Sequence, residues 1–202
     1  MAQQLINNGT TAGDGTGENL FSAFEKVNDN FTEVYARKEA FGVYDYNDLS
    51  TQTTPLNYTG VDPFYITNDG LGISTNNIYK LTGIDDVYNT TTNAFDFLGL
   101  ELGDTIDIRL DLDITTSSPN QNVKIIIELG IGSFPIGTYQ LTFSGEKTYK
   151  TAKTYLNETW FSSVYLGDAT TRDHEAKFIF ESDGNATIVV NGWYVRANKR
   201  LI

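Results

Sequence analysis

The stretch Thr105-Ile-Asp-Ile-Arg-Leu-Asp-Leu-Asp-Ile114 constrains the fold more than any other. Ile106, Ile108, Leu110, Leu112 and Ile114 alternate with Asp107, Arg109, Asp111 and Asp113. A period of two puts every apolar side chain on one face of an extended strand and every charge on the other. A helix of this sequence would have no continuous apolar side, so the segment demands a sheet with one dry face. Asn122–Ile131 repeats the pattern, with Val123, Ile125, Ile127, Leu129 and Ile131 as its inward set. Further alternation occurs in Thr138–Phe143, in Lys147–Tyr155 after a turn at Gly145-Glu146, in Ala176–Glu181 and in Ala186–Ala197. Pro119-Asn120 and Pro135-Ile136-Gly137 read as turns, and Asp183-Gly184-Asn185 as a hairpin turn. The last strand has no proline and fits a central position, with Gly192 marking a bulge that re-aims Trp193. Residues 43–104 carry shorter apolar pieces around Tyr58, Phe64–Ile66, Ile78–Leu81 and Phe95–Leu98.

Tyr and Phe number 12 each against a single Met, which is a β-rich composition. The expected fold is mainly β, an antiparallel β-sandwich or jelly roll occupying residues 42–202. The 202-residue chain carries no Cys, so disulfides and thiolate metal sites are excluded. Its net charge of −12 opposes nucleic-acid binding, which requires basic side chains to neutralise phosphates. Residues 1–15 lack the apolar run of a secretory signal, and no stretch has the length of a membrane span.

The first forty residues follow another rule. Gly9, Gly13, Gly15 and Gly17 punctuate a polar hook in which Asp14-Gly15 is a tight-turn pair. Thr16 or Asp14 is placed to cap the helix that follows, and Glu18 to put negative charge in its first turn. Leu20, Phe24, Val27, Phe31 and Val34 then recur at alternating spacings of four and three, with Phe41 after a gap at Lys38. That is a heptad seam, widened by Phe21 and Tyr35. So short a helix is marginal alone in water. Its stripe must bury against the chain's own body, copies of itself or a partner. Residues 36–42 read as a charged helix end closed by Gly42, which favours copies or a partner.

The pattern Ile6-Asn7-x-Gly9-Thr10, then Asp14-Gly15-Thr16-Gly17-Glu18, then Ala23-Phe24-x-Lys26-Val27-Asn28-x-Asn30-Phe31-x-Glu33-Val34-Tyr35 resembles the N-terminal segment of tailed-bacteriophage virion appendage proteins of the tail-fibre and head-fibre type. Ala12-Gly13 stands where that group has Pro-Asn, and Phe21-Ser22 stands where a basic residue is common. The resemblance implies a non-enzymatic virion protein, a homotrimer whose residues 1–41 attach to tail, baseplate or head while the β body projects. Asn7, Gly9, Asp14, Gly15, Thr16, Gly17, Leu20, Phe24, Val27, Asn28, Asn30, Phe31, Val34 and Tyr35 would carry attachment and oligomerisation. The β body has an analogue in the tumour-necrosis-factor-like knobs of fibre tips. A host-glycan-binding tip and a capsid decoration protein are alternatives. No cofactor, metal or membrane insertion is expected.

Other candidate chemistry reads as structure. His174 has no second histidine with which to build a zinc site, and sits as a loop residue before a strand. Asp107, Asp111 and Asp113 lie along a strand on which carboxylates two residues apart stand about 7 Å from each other, so they do not converge on a cation. The glycine hook has neither a strand before it nor a Lys-Ser/Thr after it, so it is not a phosphate loop. Nothing in the sequence pairs two carboxylates for glycoside hydrolysis. Tyr58, Tyr65, Tyr79, Tyr88, Trp160, Tyr165, Trp193 and Tyr194 are divided between core, interface and sugar stacking. Loops 84–94 and 167–174 are the candidate tip loops.

Overall fold

The computed structural model describes residues 5–7, 10, 15–36, 41–73, 78–132 and 142–200; the side chains of residues 33–36 and 142–144 fall outside that description. The chain divides into two compact units, residues 1–40 with 200–202, and residues 41–199. The described part of the first unit holds one helix, α1 (Leu20–Ala36).

The second unit is a two-sheet β-sandwich. In chain order its elements are β1 (Phe41–Asn47), α2 (Ser50–Thr53), β2 (Leu56–Tyr58), β3 (Phe64–Tyr65), β4 (Tyr88–Asn89), β5 (Ala94–Phe95), β6 (Thr105–Thr116), β7 (Gln121–Ile131), β8 (Thr142–Tyr149), β9 (Thr154–Tyr165), α3 (Ala169–Asp173), β10 (Glu175–Ser182) and β11 (Ala186–Asn198). One sheet runs β1-β11-β6-β9, with β2 extending the β1 side of β11. The other runs β4-β5-β10-β7-β8, with β3 beside β5 on β10. Every pairing is antiparallel. If β1 and β2 count as one station and β3 to β5 as the next, the sheets read 1-8-3-6 and 2-7-4-5. That interleaving of two Greek keys is a jelly roll.

The alternation of β6 places Ile106, Ile108, Leu110, Leu112 and Ile114 wholly inside. Val123, Ile125, Ile127 and Leu129 of β7 face them, whereas Ile131 is only half-buried, beyond an irregularity in the β7–β10 pairing. Each large side chain so buried stabilises the fold by about 1.5–3 kcal/mol. Trp193 is 1 % exposed. The rings of Tyr88, Phe95 and Phe178 lie 5.6, 5.9 and 5.7 Å from its own, joining the two sheets through aromatic contact.

Several local expectations change. Asp183-Gly184-Asn185 is not a hairpin turn, because β10 and β11 lie in opposite sheets and the turn is a corner between layers. The turn at Pro119-Asn120 is a second corner, with Asn120 at φ +56°. Gln121, 1 % exposed, ties the two corners together. Its amide NH2 donates to Ser182 Oγ and to the carbonyls of Gly184 and Asn185, and its oxygen accepts from the N–H groups of Ser117 and Ser118. Gly145-Glu146 lies within β8, and the turn falls at residues 150–153. The expected turn at 135–137 and most of the expected strand 138–143 lie outside the described residues. Phe41 and Gly42 belong to β1, not to a helix end. A Cβ on Gly42 would lie 2.5 Å from Leu81 N, so the strand packs too closely there for any larger residue.

The bulge foreseen at Gly192 is present. The register of β11 against β6 shifts between Val190 and Gly192, leaving Asn191 as the extra residue. Before it the inward residues are Ala186, Ile188 and Val190; after it they are Trp193, Val195 and Ala197. The inserted residue changes the parity, and so it turns Trp193 into the core.

Candidate attachment segment

The hook closes on itself through Asn7 and Glu18. Asn7 N–H donates to Glu18 Oε1 at 2.9 Å, and Glu18 N–H donates to the Asn7 carbonyl at 3.0 Å. Asn7 Nδ2 reaches the Thr16 carbonyl at 3.1 Å, and Thr10 N–H reaches Thr16 Oγ1 at 3.2 Å. Between these ties the chain reverses at Gly15, whose φ of +71° favours glycine. Lys26, on α1, donates to Glu18 Oε2 at 2.6 Å and to the Leu5 carbonyl at 3.0 Å, fastening the hook to the helix. The hydrogen bond from Lys26, joined by that from Asn7, outweighs desolvation and holds the Glu18 carboxyl below the usual carboxylate range.

Neither Thr16 nor Glu18 acts on the helix as expected. Asn19 is the cap, its Oδ1 accepting from Ser22 N–H at 2.9 Å. Glu18 precedes the helix and no acid occupies the first turn. Thr16 is spent on the hook. The Asn7-Glu18-Lys26 clamp was legible only in part: Asn7 stood out, but the spacing from 18 to 26 is not a within-helix pair.

The heptad positions on α1 face outward. Leu20 is 72 % exposed, Phe21 is 72 %, and Phe24 and Phe31 are each 58 %. Val27 is half-buried, Asn28 exposed and Asn30 half-buried. The Asn28 carbonyl accepts from Thr32 Oγ1 at 2.8 Å. Val34 and Tyr35 lie in the helix, their side chains undescribed; Gly9 and Asp14 lie outside the described residues. Gly17 is an exposed hook residue just before the cap.

The remaining candidates take structural positions. His174 follows α3 and opens onto β10, with Nδ1 3.0 Å from the Thr170 carbonyl. The carboxylates of β6 are each hydrogen-bonded: Asp107 by Ser163 and Asn198, Asp111 by Arg109 and Thr159, Asp113 by Asn157 and Asn191. Among the described residues no three His, Cys, Asp or Glu side chains gather as metal ligands. No helix among them is long and apolar enough to cross a membrane. Of the aromatics, Tyr58, Tyr88, Trp160 and Trp193 are core, whereas Tyr65, Tyr79 and Tyr165 are exposed and Tyr194 is half-buried. Tyr65 Oη donates to Glu128 Oε2 at 2.7 Å. Burial, followed by that carboxylate, pushes the Tyr65 phenol up to about 12. In the loop 84–94, Val87 and Tyr88 are buried; the loop 167–174 is shaped by α3, capped by Asp168.

These features define a jelly-roll protein with an N-terminal helical segment. No protein-family model matches the chain, and no curated protein matches it in sequence. Among solved structures it is similar to the Eiger TNF of S. frugiperda, at 6 % identity and a TM-score of 0.45, over 81 % of this chain and 95 % of that one. It is also similar to the Tobacco streak virus coat protein, at 11 % identity and a TM-score of 0.28, over 81 % of this chain and 90 % of the coat protein.

Proposed function

We propose that this chain is a non-enzymatic structural protein of a phage virion: a short trimeric fibre or knob, attached through its N-terminal segment to the tail, baseplate or head. The observation that carries this reading is the exposed stripe of Leu20, Phe24 and Phe31 on a helix whose start is doubly secured, by the Asn19 cap and the Glu18–Lys26 clamp. A capped helix with two Phe side chains 58 % exposed is built for burial in something else. Phe and Leu at heptad positions suit knobs-into-holes packing with copies of the same helix, and the hook beside it offers a fixed polar surface to a docking protein. The jelly-roll unit has its own hydrophobic core.

The test is incorporation. The Phe24→Asp/Phe31→Asp double variant should keep the near-ultraviolet circular dichroism of the sandwich, sediment as a monomer and be lost from purified particles. A double variant still present in particles at normal copy number refutes the attachment role. An unmutated chain that sediments as a monomer refutes the trimer.

A further inference from the structure

The outer face of the β1-β11-β6-β9 sheet carries a groove of about 390 Å3. That lies within the range of about 300–1,000 Å3 typical of small-ligand sites. Two bulges make it. The first is Asn191 in β11; the second lies in β9, where Leu156 and Asn157 together oppose Asp113 of β6 and Asn157 takes φ +54°. The bulges flank Asp113, whose Oδ1 accepts from Asn157 N–H and from Asn191 Nδ2, each at 2.8 Å. Asn191 is held there by its side-chain amide and Asn157 by its backbone N–H, and both residues line the groove. Gly192 forms part of its lining, where a Cβ would come within 2.8 Å of the Tyr46 carbonyl.

The groove's polar groups are of both kinds. Arg109 is held by Asp111 at 2.9 Å and lies over the Tyr194 ring at 5.2 Å, and Thr159 donates to Asp111 at 2.7 Å. The Asn157 side-chain amide, Asn191 Oδ1 and Tyr194 Oη take no protein partner among the described residues, and all three residues line the groove. Donors and acceptors thus stand side by side beside an aromatic ring. A cation is disfavoured by Arg109 and by the lack of three converging metal-ligand side chains among the described residues. An anion is disfavoured by Asp45 and Asp111. What fits is an uncharged molecule whose groups both donate and accept, which is what a hydroxyl does.

We propose that this groove binds a neutral saccharide, held by Tyr194, Asn157 and Asn191 with Asp45 and Arg109 as its charged walls. The site lies on the sheet face and none of its lining residues comes from the loops at 84–94 and 167–174, so the inference stands apart from the virion reading. The test uses the full-length protein. Saturation-transfer NMR with lactose, maltose, methyl α-mannoside and N-acetylglucosamine is paired with an array of neutral, sialylated and sulfated glycans. A neutral sugar should bind, and Tyr194→Ala should weaken it by roughly tenfold, the equivalent of one lost hydrogen bond and contact. Asn157→Gly, which keeps the left-handed backbone while deleting the amide, should weaken it as well without altering the circular dichroism. Tyr79→Ala, at an exposed tyrosine outside the groove, should leave binding unchanged. The proposal is overturned if no neutral glycan binds in either format, if acidic glycans bind in preference, or if a bound neutral sugar is indifferent to both groove variants. Incorporation of Phe24→Asp/Phe31→Asp is measured separately, so either reading can fail alone.

Discussion

Asp48 offers the sharpest test of what holds the sandwich together where its sequence is least regular. The side chain is 0 % exposed. Its Oδ2 accepts from Thr51 N–H at 2.7 Å and from Thr51 Oγ1 at 2.6 Å. Its Oδ1 accepts from Asp69 N–H at 2.8 Å and from Ser50 Oγ at 3.1 Å. Thr51 Oγ1 in turn accepts from Val190 N–H at 2.8 Å, beside the β11 bulge. One carboxylate therefore fixes α2, the 66–70 loop and the central strand. Asp48→Ala leaves two backbone N–H groups without their acceptor. At about 1.5–3 kcal/mol for each hydrogen bond to a charged group, the loss is about 3–6 kcal/mol, or about 4 after partial hydration of the space. For a chain of this size that corresponds to a fall of roughly 8–16 °C in Tm. Asp48→Asn keeps one accepting oxygen but sets an NH2 group against the Thr51 N–H, so it should recover about half. The assay is urea unfolding followed by the fluorescence of Trp160 and Trp193, both buried in the sandwich. If Asp48→Ala costs no more than the about 0.5 kcal/mol of an ordinary surface change, as exposed Asp62→Ala should, the reasoning fails.

Three further outcomes are expected. Gly192→Ala forces a methyl to 2.8 Å from the Tyr46 carbonyl and 2.9 Å from Asn47 Oδ1, and should cost about 1–3 kcal/mol, read as a lower urea midpoint. Burial raises the Asp45 carboxyl above its ordinary value, so its ionised form opposes folding; Asp45→Asn should therefore raise Tm at neutral pH, with the gain closing as pH falls toward the unfolded value of about 3.9. The Glu18 carboxyl is lowered instead, so the hook clamp is fully present above the ordinary Glu value of about 4.3 and is lost as pH falls through the folded one. Lys26→Met should reproduce that loss at neutral pH, seen as faster amide exchange at Asn7 and Glu18 and a Glu18 titration moved back up.

Legibility followed the length of the pattern. β6 and β7 could be placed from sequence because long alternating runs admit one buried face, and β11 because its turn-bounded run and Gly192 announced a central, bulged strand. The expected hairpin at 183–185 failed for a different reason: alternation fixes which side chains face inward but is silent on whether the next strand lies beside or across. The corner is set by Gln121, distant in sequence from Gly184 and Asn185. Residues 43–104 were opaque because β2 to β5 are too short to show a period, and because their order comes from side-chain acceptors such as Asp48 and Asp69. In the N-terminal unit the heptad spacing located the helix. The cap was misplaced because Thr16, Glu18 and Asn19 are all acceptable near a helix start, and only the hook's own hydrogen bonds decide which is free to cap.

The groove occupies the places where alternation breaks. An uninterrupted β11 would send Trp193 outward and carry no extra Asn191; an uninterrupted β9 would hold Asn157 in line with its neighbours. Each inserted residue costs ladder pairing and, at Asn157, a left-handed backbone that asparagine tolerates better than most residues. Repacking Trp193 accounts for the first bulge, because parity must change for the ring to enter the core. Parity acts in the same way at the second: Tyr155, before the β9 bulge, packs against the core, and Trp160, Ser162 and Val164, after it, are buried. On the solvent face the same two bulges bring the Asn157 N–H and the Asn191 amide onto one carboxylate, Asp113, which is the local rule-breaking expected of a site held for binding.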